Sequence, residues 1–433
     1  MTSMSVALDP FPYLHLRPAR GWVNDPNGIG RWDGRWHVFY QHNPDVPRHE
    51  DICWGYASSE DLLTWRHEPV ALTPRPGSID AAGVWSGVST TDDGEPVLVY
   101  TAVPHTAADA GVALAHRDSA GGWLAEETMV APRPVDPTIR SVRDPFLFTV
   151  GGRRFAILGG GRTDGTPVVL VYAVDDLHHW VLLGDLVSGD DPVALDLAPA
   201  QIWECPQLAQ VRTESGETRW VLIVSLWHGS DERRLRGVAA LIGDLDVSSG
   251  RPVFSTTGGQ PLDHGPDFYA PQAFVDGERT LIWGWTWEST TDRTAHEVEE
   301  AGWAGALTLP REITLRGGQV VSSPASELTG LRRSSLTSAS LAALDLPAWE
   351  AECDGALEVA LVSDDDARVV WRSPGGASAV RVIVDGSVVE AFADGAAHTV
   401  RAYPRPGEVW SVRSLEEAGT VSAWELGLPT PAG

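Results

Sequence analysis

The sequence predicts an all-β protein: a five-bladed β-propeller followed by a short C-terminal β-sandwich. Three observations carry that reading. Short apolar runs alternate with turn signals throughout, with 44 glycines and 31 prolines spread along the chain and little helical periodicity. Five segments repeat one layout: a short polar motif, an apolar strand, a glycine-containing turn and a second apolar strand. Past about Gly317 the pattern changes to a Ser/Ala-rich stretch and then to alternating residues broken by Asp-Gly turns.

The five segments are "NDPNGIGRWDGRWHVFYQ", "WSGVSTTDDGEPVLVYTA", "RDPFLFTVGGRRFAILGG", "ECPQLAQVRTESGETRWVLIVS" and "YAPQAFVDGERTLIWGWTW". Their turns sit at Asp33-Gly34, Asp93-Gly94, Gly151-Gly152, Ser215-Gly216 and Asp276-Gly277, spaced 60, 58, 64 and 61 residues apart. Each unit has room for four strands. Five near-equal β units close into a ring, which removes exposed sheet edges. Two stacked sandwiches are the competing architecture, but they give no reason for a period. The expected division is a propeller over residues 1–327 and a sandwich over 328–433. In the second part "SSLTSASLAALDLP" reads as a linker or short edge segment, and "VRVIVDGSVVEAFADGAAHTVRAYP" as successive hairpins.

Composition narrows the function. The 433 residues are 43% hydrophobic, with no run able to span a bilayer. The opening "MTSMSVALDP" has neither the basic start nor the apolar core of a secretory signal, so cytoplasmic residence is expected. Cys53, Cys205 and Cys353 are too scattered for a disulfide framework or a metal motif. A net charge of −27, with no lysine and all 32 basic residues arginine, excludes a nucleic-acid partner. Nineteen tryptophans could stack on sugars, but most are expected to fill the core.

In a propeller the first strand of each blade lines the central channel. Asp25, Ser86, Asp144, Glu204 and Tyr269 head the five first strands and are expected to share one phase and converge. Two carboxyl groups flanking a glycosidic bond suffice for its hydrolysis, provided their surroundings set them apart as ionised group and proton donor. Asn24 beside Asp25, and Arg143 beside Asp144, are expected to keep those carboxylates charged. Ile202, Trp203, Cys205 and Pro206 give Glu204 the apolar setting that suits a general acid. Taken singly, the three acids read as an Asx-turn, a surface ion pair and a solvent-facing glutamate; a shared phase tells against all three. The histidines form no zinc motif, and "LHHW" (His178, His179) reads as a solvated turn. A phosphate loop is impossible without lysine. "LGGGRTDG" lacks a strand–helix context, and no nucleophile elbow occurs.

These motifs resemble glycoside hydrolase family 32, the invertases, exo-inulinases, levanases and sucrose-6-phosphate hydrolases. The resemblance runs over roughly residues 10 to 315, through "WVNDPNG", "FYQHNP", "CWGYASSEDLLTW", "WSGV", "RDPF", "ECPQL", "DFYAPQ" and "GWAGALTLPRE". It implies Asp25 as nucleophile on C2 of a β-fructofuranosyl unit, and Glu204 as acid and then base. Asp144, with Arg143 beside it, would hold fructose hydroxyls and stabilise the transition state. Retention through a covalent intermediate would place the two carboxyls about 5–5.5 Å apart. Asn24, Gln41, Ser86 and Tyr269 would bind fructose, and Trp22, Trp85 and Trp285 would wall the pocket. Cys205 would pack beside the acid. Val23 replaces a common methionine, His49 is the candidate for a missing wall tryptophan, and the tail after about residue 328 is shorter than the family's usual sandwich.

The resemblance implies a β-fructofuranosidase acting on sucrose and short fructo-oligosaccharides. It would need no cofactor and no metal, would engage no membrane, and would be a monomer or homodimer. Fructosyl transfer and exo-acting cleavage of inulin or levan would use the same site. An arabinose- or xylose-specific propeller glycosidase and a non-catalytic sugar-binding propeller are the competing classes. The acidic surface disfavours sucrose 6-phosphate, unless arginines cluster locally.

Overall fold

The computed structural model describes residues 8–229, 234–288, 292–416 and 419–429; most of the N-terminal "MTSMSVALDP" lies outside them. Four antiparallel strands form each blade. Blade one is β1 (Gly21–Trp32), β2 (Arg35–Asn43), β3 (Cys53–Ser59) and β4 (Trp65–Leu72). Blade two is β5 (Gly83–Asp92), β6 (Glu95–Val103), β7 (Gly111–Arg117) and β8 (Trp123–Ala125). Blade three is β9 (Ile139–Val150), β10 (Arg153–Arg162), β11 (Pro167–Asp176) and β12 (His179–Ser188). After helix α1 (Pro192–Leu197), blade four is β13 (Ile202–Arg212), β14 (Thr218–Trp227), β15 (Leu235–Asp246) and β16 (Val253–Pro261).

Blade five begins with β17 (Phe268–Asp276) and β18 (Arg279–Thr286). Helix α2 (Ala295–Ala301) and two short strands, β19 (Trp303–Ala304) and β20 (Ala306–Leu307), then intervene before β21 (Arg311–Arg316) and β22 (Gln319–Pro324) complete it. The intervening segment clasps the ring. β19 pairs in parallel with β1, Gly21 opposite Trp303 and Trp22 opposite Ala304, while β20 pairs with β18. Gly305, between them, has φ 69 and packs so closely that a Cβ would lie 1.9 Å from the Val23 carbonyl oxygen, so only glycine fits there.

The repeat follows from turn chemistry. Asp33-Gly34, Asp93-Gly94 and Gly151-Gly152 all have positive φ at both central residues, the geometry that matches the twist of a two-residue hairpin. The apolar strand faces meet between blades. Val88, Val99 and Leu114 of blade two, for example, pack on Ala156, Leu158 and Leu170 of blade three. The other four junctions have cores of the same kind. Trp54, Trp203, Trp283, Trp349 and Trp410 are among the largest fully buried side chains, so these tryptophans fill cores as expected.

Beyond blade five lie β23 (Arg332–Ser335), β24 (Ala348–Cys353), β25 (Leu357–Val362), β26 (Ala367–Arg372), β27 (Val380–Asp385), β28 (Val388–Ala393), β29 (Ala396–Arg401), β30 (Val409–Ser414) and β31 (Val421–Leu426). They form a six-stranded sheet, β23-β31-β24-β27-β28-β29, and a three-stranded sheet, β26-β25-β30, around one apolar core. The Ser/Ala-rich stretch supplies only the last two residues of β23, Ser334 and Ser335, at the sheet edge. Buried charges join the sandwich to the propeller. The Arg311 guanidinium donates to Asp263 Oδ2 and Thr399 Oγ1, both at 2.7 Å, and to Glu390 Oε2 at 2.6 Å. The N-terminal segment is also tied to the sandwich, because the Asp385 carboxylate accepts from the backbone N–H groups of Tyr13, Leu14 and His15. Among the described residues no helix is long and apolar enough to cross a membrane.

Candidate active site

The heads of the five inner strands β1, β5, β9, β13 and β17 surround a cavity of 760 Å³. Trp22, Asn24, Asp25, Gln41, Trp85, Ser86, Arg143, Asp144, Glu204, Cys205, Tyr269 and Trp285 all line it. The expected shared phase is off by one residue in two blades. Pro26, Pro145, Pro206 and Pro271 mark equivalent positions, with Gly87 in their place in blade two. Asp25, Ser86 and Asp144 directly precede that position, but Cys205 and Ala270 do so in blades four and five. Glu204 and Tyr269 sit one residue earlier, level with Arg143.

The physical reason is a β-bulge in every inner strand at this level, between Val23 and Pro26, Trp85 and Gly87, Glu204 and Gln207, Tyr269 and Gln272, and opposite Ile157 and Gly159 in blade three. A bulge leaves an extra residue and breaks strict alternation, so neighbouring side chains can face the same cavity. Asp144, Cys205 and Ala270 have φ of 61, 46 and 44. Such left-handed backbone costs a non-glycine residue about 1–3 kcal/mol and persists only where surrounding contacts enforce it. One such contact is the Cys205 N–H donating to Asp144 Oδ2 at 3.0 Å.

Asp25 ends a relay of polar groups. Trp22 Nε1 donates to Asn24 Oδ1 at 2.7 Å, and Asn24 Nδ2 donates to Gln41 Oε1 at 2.8 Å and to Asp25 Oδ1 at 3.1 Å. Gln41 Nε2 donates to Ser86 Oγ, whose hydroxyl donates to Asp25 Oδ2. The expected donors are therefore present, but they do not dominate. Burial pushes the Asp25 pKa up, the Ser86 bond opposes it, the Glu204 charge adds to the rise, and the net shift is upward.

The surroundings of Glu204 and Asp144 also differ from the expectation. Glu204 is not in an apolar setting: Arg143 Nε and Nη2 reach its Oε1 at 3.0 and 2.6 Å, and the Tyr269 hydroxyl donates to Oε2 at 2.7 Å. Arg143 aims its fork at Glu204 and stands 3.9 Å from Asp144. Asp144 is thus left with weaker compensation. Burial drives its pKa up, Arg143 opposes, Glu204 and Asp25 add repulsion, and the carboxyl is pushed up to about 7. Cys205 Sγ lies 3.5 Å from Asp25 Oδ2 and 3.6 Å from Asp144 Oδ2. Burial and those carboxylates hold the thiol protonated, so it packs and donates weakly.

The walls are aromatic. The rings of Trp22 and Trp285 meet at 5.5 Å, and those of Trp285 and Trp287 at 6.1 Å. His49 stands edge-on to Trp22 at 6.2 Å and lines the cavity. Sequence reasoning missed Arg140, Ser141, Trp227, Arg234 and Trp287. Arg140 and Ser141 lie in the strand of Arg143, and Trp287 is two residues past Trp285, so a signal existed. Trp227 and Arg234 carry no such signal, being far in sequence from the residues singled out. The Arg140 guanidinium lies 6.0 Å from the Trp227 ring centre, and neither Arg140 nor Arg234 has an acidic partner among the described residues.

The chain is 33% identical to the sucrose-6-phosphate hydrolase of Klebsiella pneumoniae over 329 residues, 74% of this chain and 68% of that protein. It is 32% identical to the raffinose invertase of Escherichia coli over 339 residues, 75% of this chain and 66% of that protein. It therefore spans about two thirds of the length of both relatives. A solved GH32 beta-fructofuranosidase mutant from Bombyx mori, in complex with sucrose, aligns with a TM-score of 0.79 at 25% identity, over 97% of this chain and 95% of that one. The model of the glycosyl hydrolases family 32 N-terminal domain matches residues 15–324. This chain belongs to glycoside hydrolase family 32.

Proposed function

We propose that the chain hydrolyses the terminal β-D-fructofuranosyl linkage of sucrose and short fructo-oligosaccharides, with retention at C2. The observation that carries the reading is the placement of Asp25 and Glu204 on one cavity with different partners: neutral donors on the first, a guanidinium and a phenol on the second. Burial raises the Asp25 pKa and pushes Asp144 up to about 7; the general-acid role requires Glu204 to carry a proton into the first step. In the first step an Asp25 oxygen bonds to C2 while the bond from C2 to the leaving oxygen breaks, and Glu204 passes the proton to that oxygen. Water then attacks C2, Glu204 takes its proton, and the bond to Asp25 breaks. Asn24, Gln41 and Ser86 orient the nucleophile, and Asp144 with Arg143 stabilises charge developing on the ring.

Asp25→Ala should abolish sucrose hydrolysis while leaving the thermal transition in place; near-normal turnover in that variant sinks the assignment. A second reading, favoured by Arg140 and Arg234 at the cavity mouth, is that the glucosyl unit is phosphorylated. Arginines with no acidic partner among the described residues, in a protein of net charge −27, suit a phosphate, and several relatives carry the name sucrose-6-phosphate hydrolase. Relative kcat/KM for sucrose and sucrose 6-phosphate decides between them. Cytoplasmic residence, in keeping with three free cysteines, belongs to the same proposal.

A further inference from the structure

Away from the cavity, one cluster of metal-ligating side chains joins two blades. His116 lies on β7, Glu126 follows β8, and His178 lies in the turn between β11 and β12. His116 Nε2 is 2.7 Å and His178 Nε2 is 2.9 Å from the same oxygen, Glu126 Oε1. The two imidazoles stack nearly parallel, 9° apart, with ring centres at 6.1 Å. One ligand atom from each of the three residues lies within 4.8 Å of the others. No metal motif is visible in the sequence because the ligands come from two blades and the "LHHW" turn supplies only one of them.

We propose that His116, Glu126 and His178 bind one zinc ion, which staples the outer edges of blades two and three. Two imidazole nitrogens and one carboxylate are a zinc donor set, with water free to complete a tetrahedron. Bonds of about 2.0–2.1 Å to zinc would hold each nitrogen roughly 3.3 Å from the oxygen, so the present contacts need to open by only about half an ångström. The side chains have that freedom: His116 is 40% and His178 56% exposed. Their backbones are fixed. His116 pairs with Leu124, Glu126 N–H donates to Leu114 O at 2.9 Å, and His178 N–H donates to Asp176 Oδ1 at 2.9 Å. Asp176 Oδ1 also lies 3.7 Å from His178 Nδ1, too far for a hydrogen bond, but near enough for its charge to favour a proton on Nδ1 and leave Nε2 to ligate.

The test is titration of the chelator-stripped full chain with zinc chloride against a chromophoric chelator at neutral pH. The expected result is one equivalent bound, a higher thermal midpoint with zinc, and release on acidification, because only neutral imidazole ligates. His116→Ala and His178→Ala should lose the site, and Asp176→Asn should weaken it about tenfold, all with sucrose turnover unchanged. His264→Ala, which alters a second histidine pair (His264 with His398, ring centres 5.3 Å apart), should leave binding intact. Failure of the wild type to bind ~100 μM zinc, or equal binding by the His116 and His178 variants, overturns the proposal and leaves a hydrogen-bonded cluster.

Discussion

Tyr269→Phe isolates one hydrogen bond of the site. The phenol is the partner of Glu204 Oε2 at 2.7 Å, whereas Oε1 has two contacts from Arg143. The ring itself is buried against Ala270, Phe268 and Trp285 and is unchanged by the substitution, so packing is preserved. A hydrogen bond to a charged group is worth about 1.5–3 kcal/mol. If that stabilisation is expressed in the transition state, kcat/KM falls about 10- to 150-fold. Steady-state sucrose hydrolysis measures the fall, with thermal denaturation beside it to show an intact fold. A change within twofold, or a fall matched by loss of the folded fraction, would refute the reasoning that Tyr269 positions Glu204 for proton transfer.

Other perturbations test other links. Asp144→Asn removes a carboxyl whose pKa, about 7, exceeds its unfolded value, 3.8. The native state binds the extra proton between those values, so stability falls as pH rises through that window. The amide should therefore raise Tm more at pH 8 than at pH 5 while lowering kcat, as paired melting and rate curves would show. Arg311→Met strands Asp263 and Glu390 in the interface and should cost about 3–5 kcal/mol in denaturant unfolding. Burial alone would raise the Glu390 pKa, but Arg311 and His15 hold it below its usual value, so the wild type loses that stabilisation on acidification through the folded pKa. Arg140→Ala should raise KM for sucrose 6-phosphate more than for sucrose if the phosphate reading holds; equal changes count against it.

Much of the fold could be read from the sequence because its punctuation is local. Asp33-Gly34 and Asp93-Gly94 specify hairpins by backbone preference alone, and the period of the turns implies the ring. The three acids were findable because each lies beside a proline-marked bulge. Their electrostatics were not. Whether Arg143 turns to Asp144 or Glu204 depends on the distance between blades three and four, and burial, which outweighs the donors at Asp25, is a property of the closed ring. The tie from Tyr13, Leu14 and His15 to Asp385 spans 370 residues or more and leaves no local pattern. The same holds for the meeting of His116 with His178.

The clasp between blades five and one gives the ring a particular failure mode. Its β19 strand grips Gly21 and Trp22, three residues before Asp25, and Gly305 lies against Val23 and beside Trp285. Hoop tension that parted these two blades would pull a cavity-lining tryptophan and the polar relay to Asp25 out of place in the same movement. Turnover therefore serves as a gauge of closure: the ring cannot spring open at this seam and keep a working pocket.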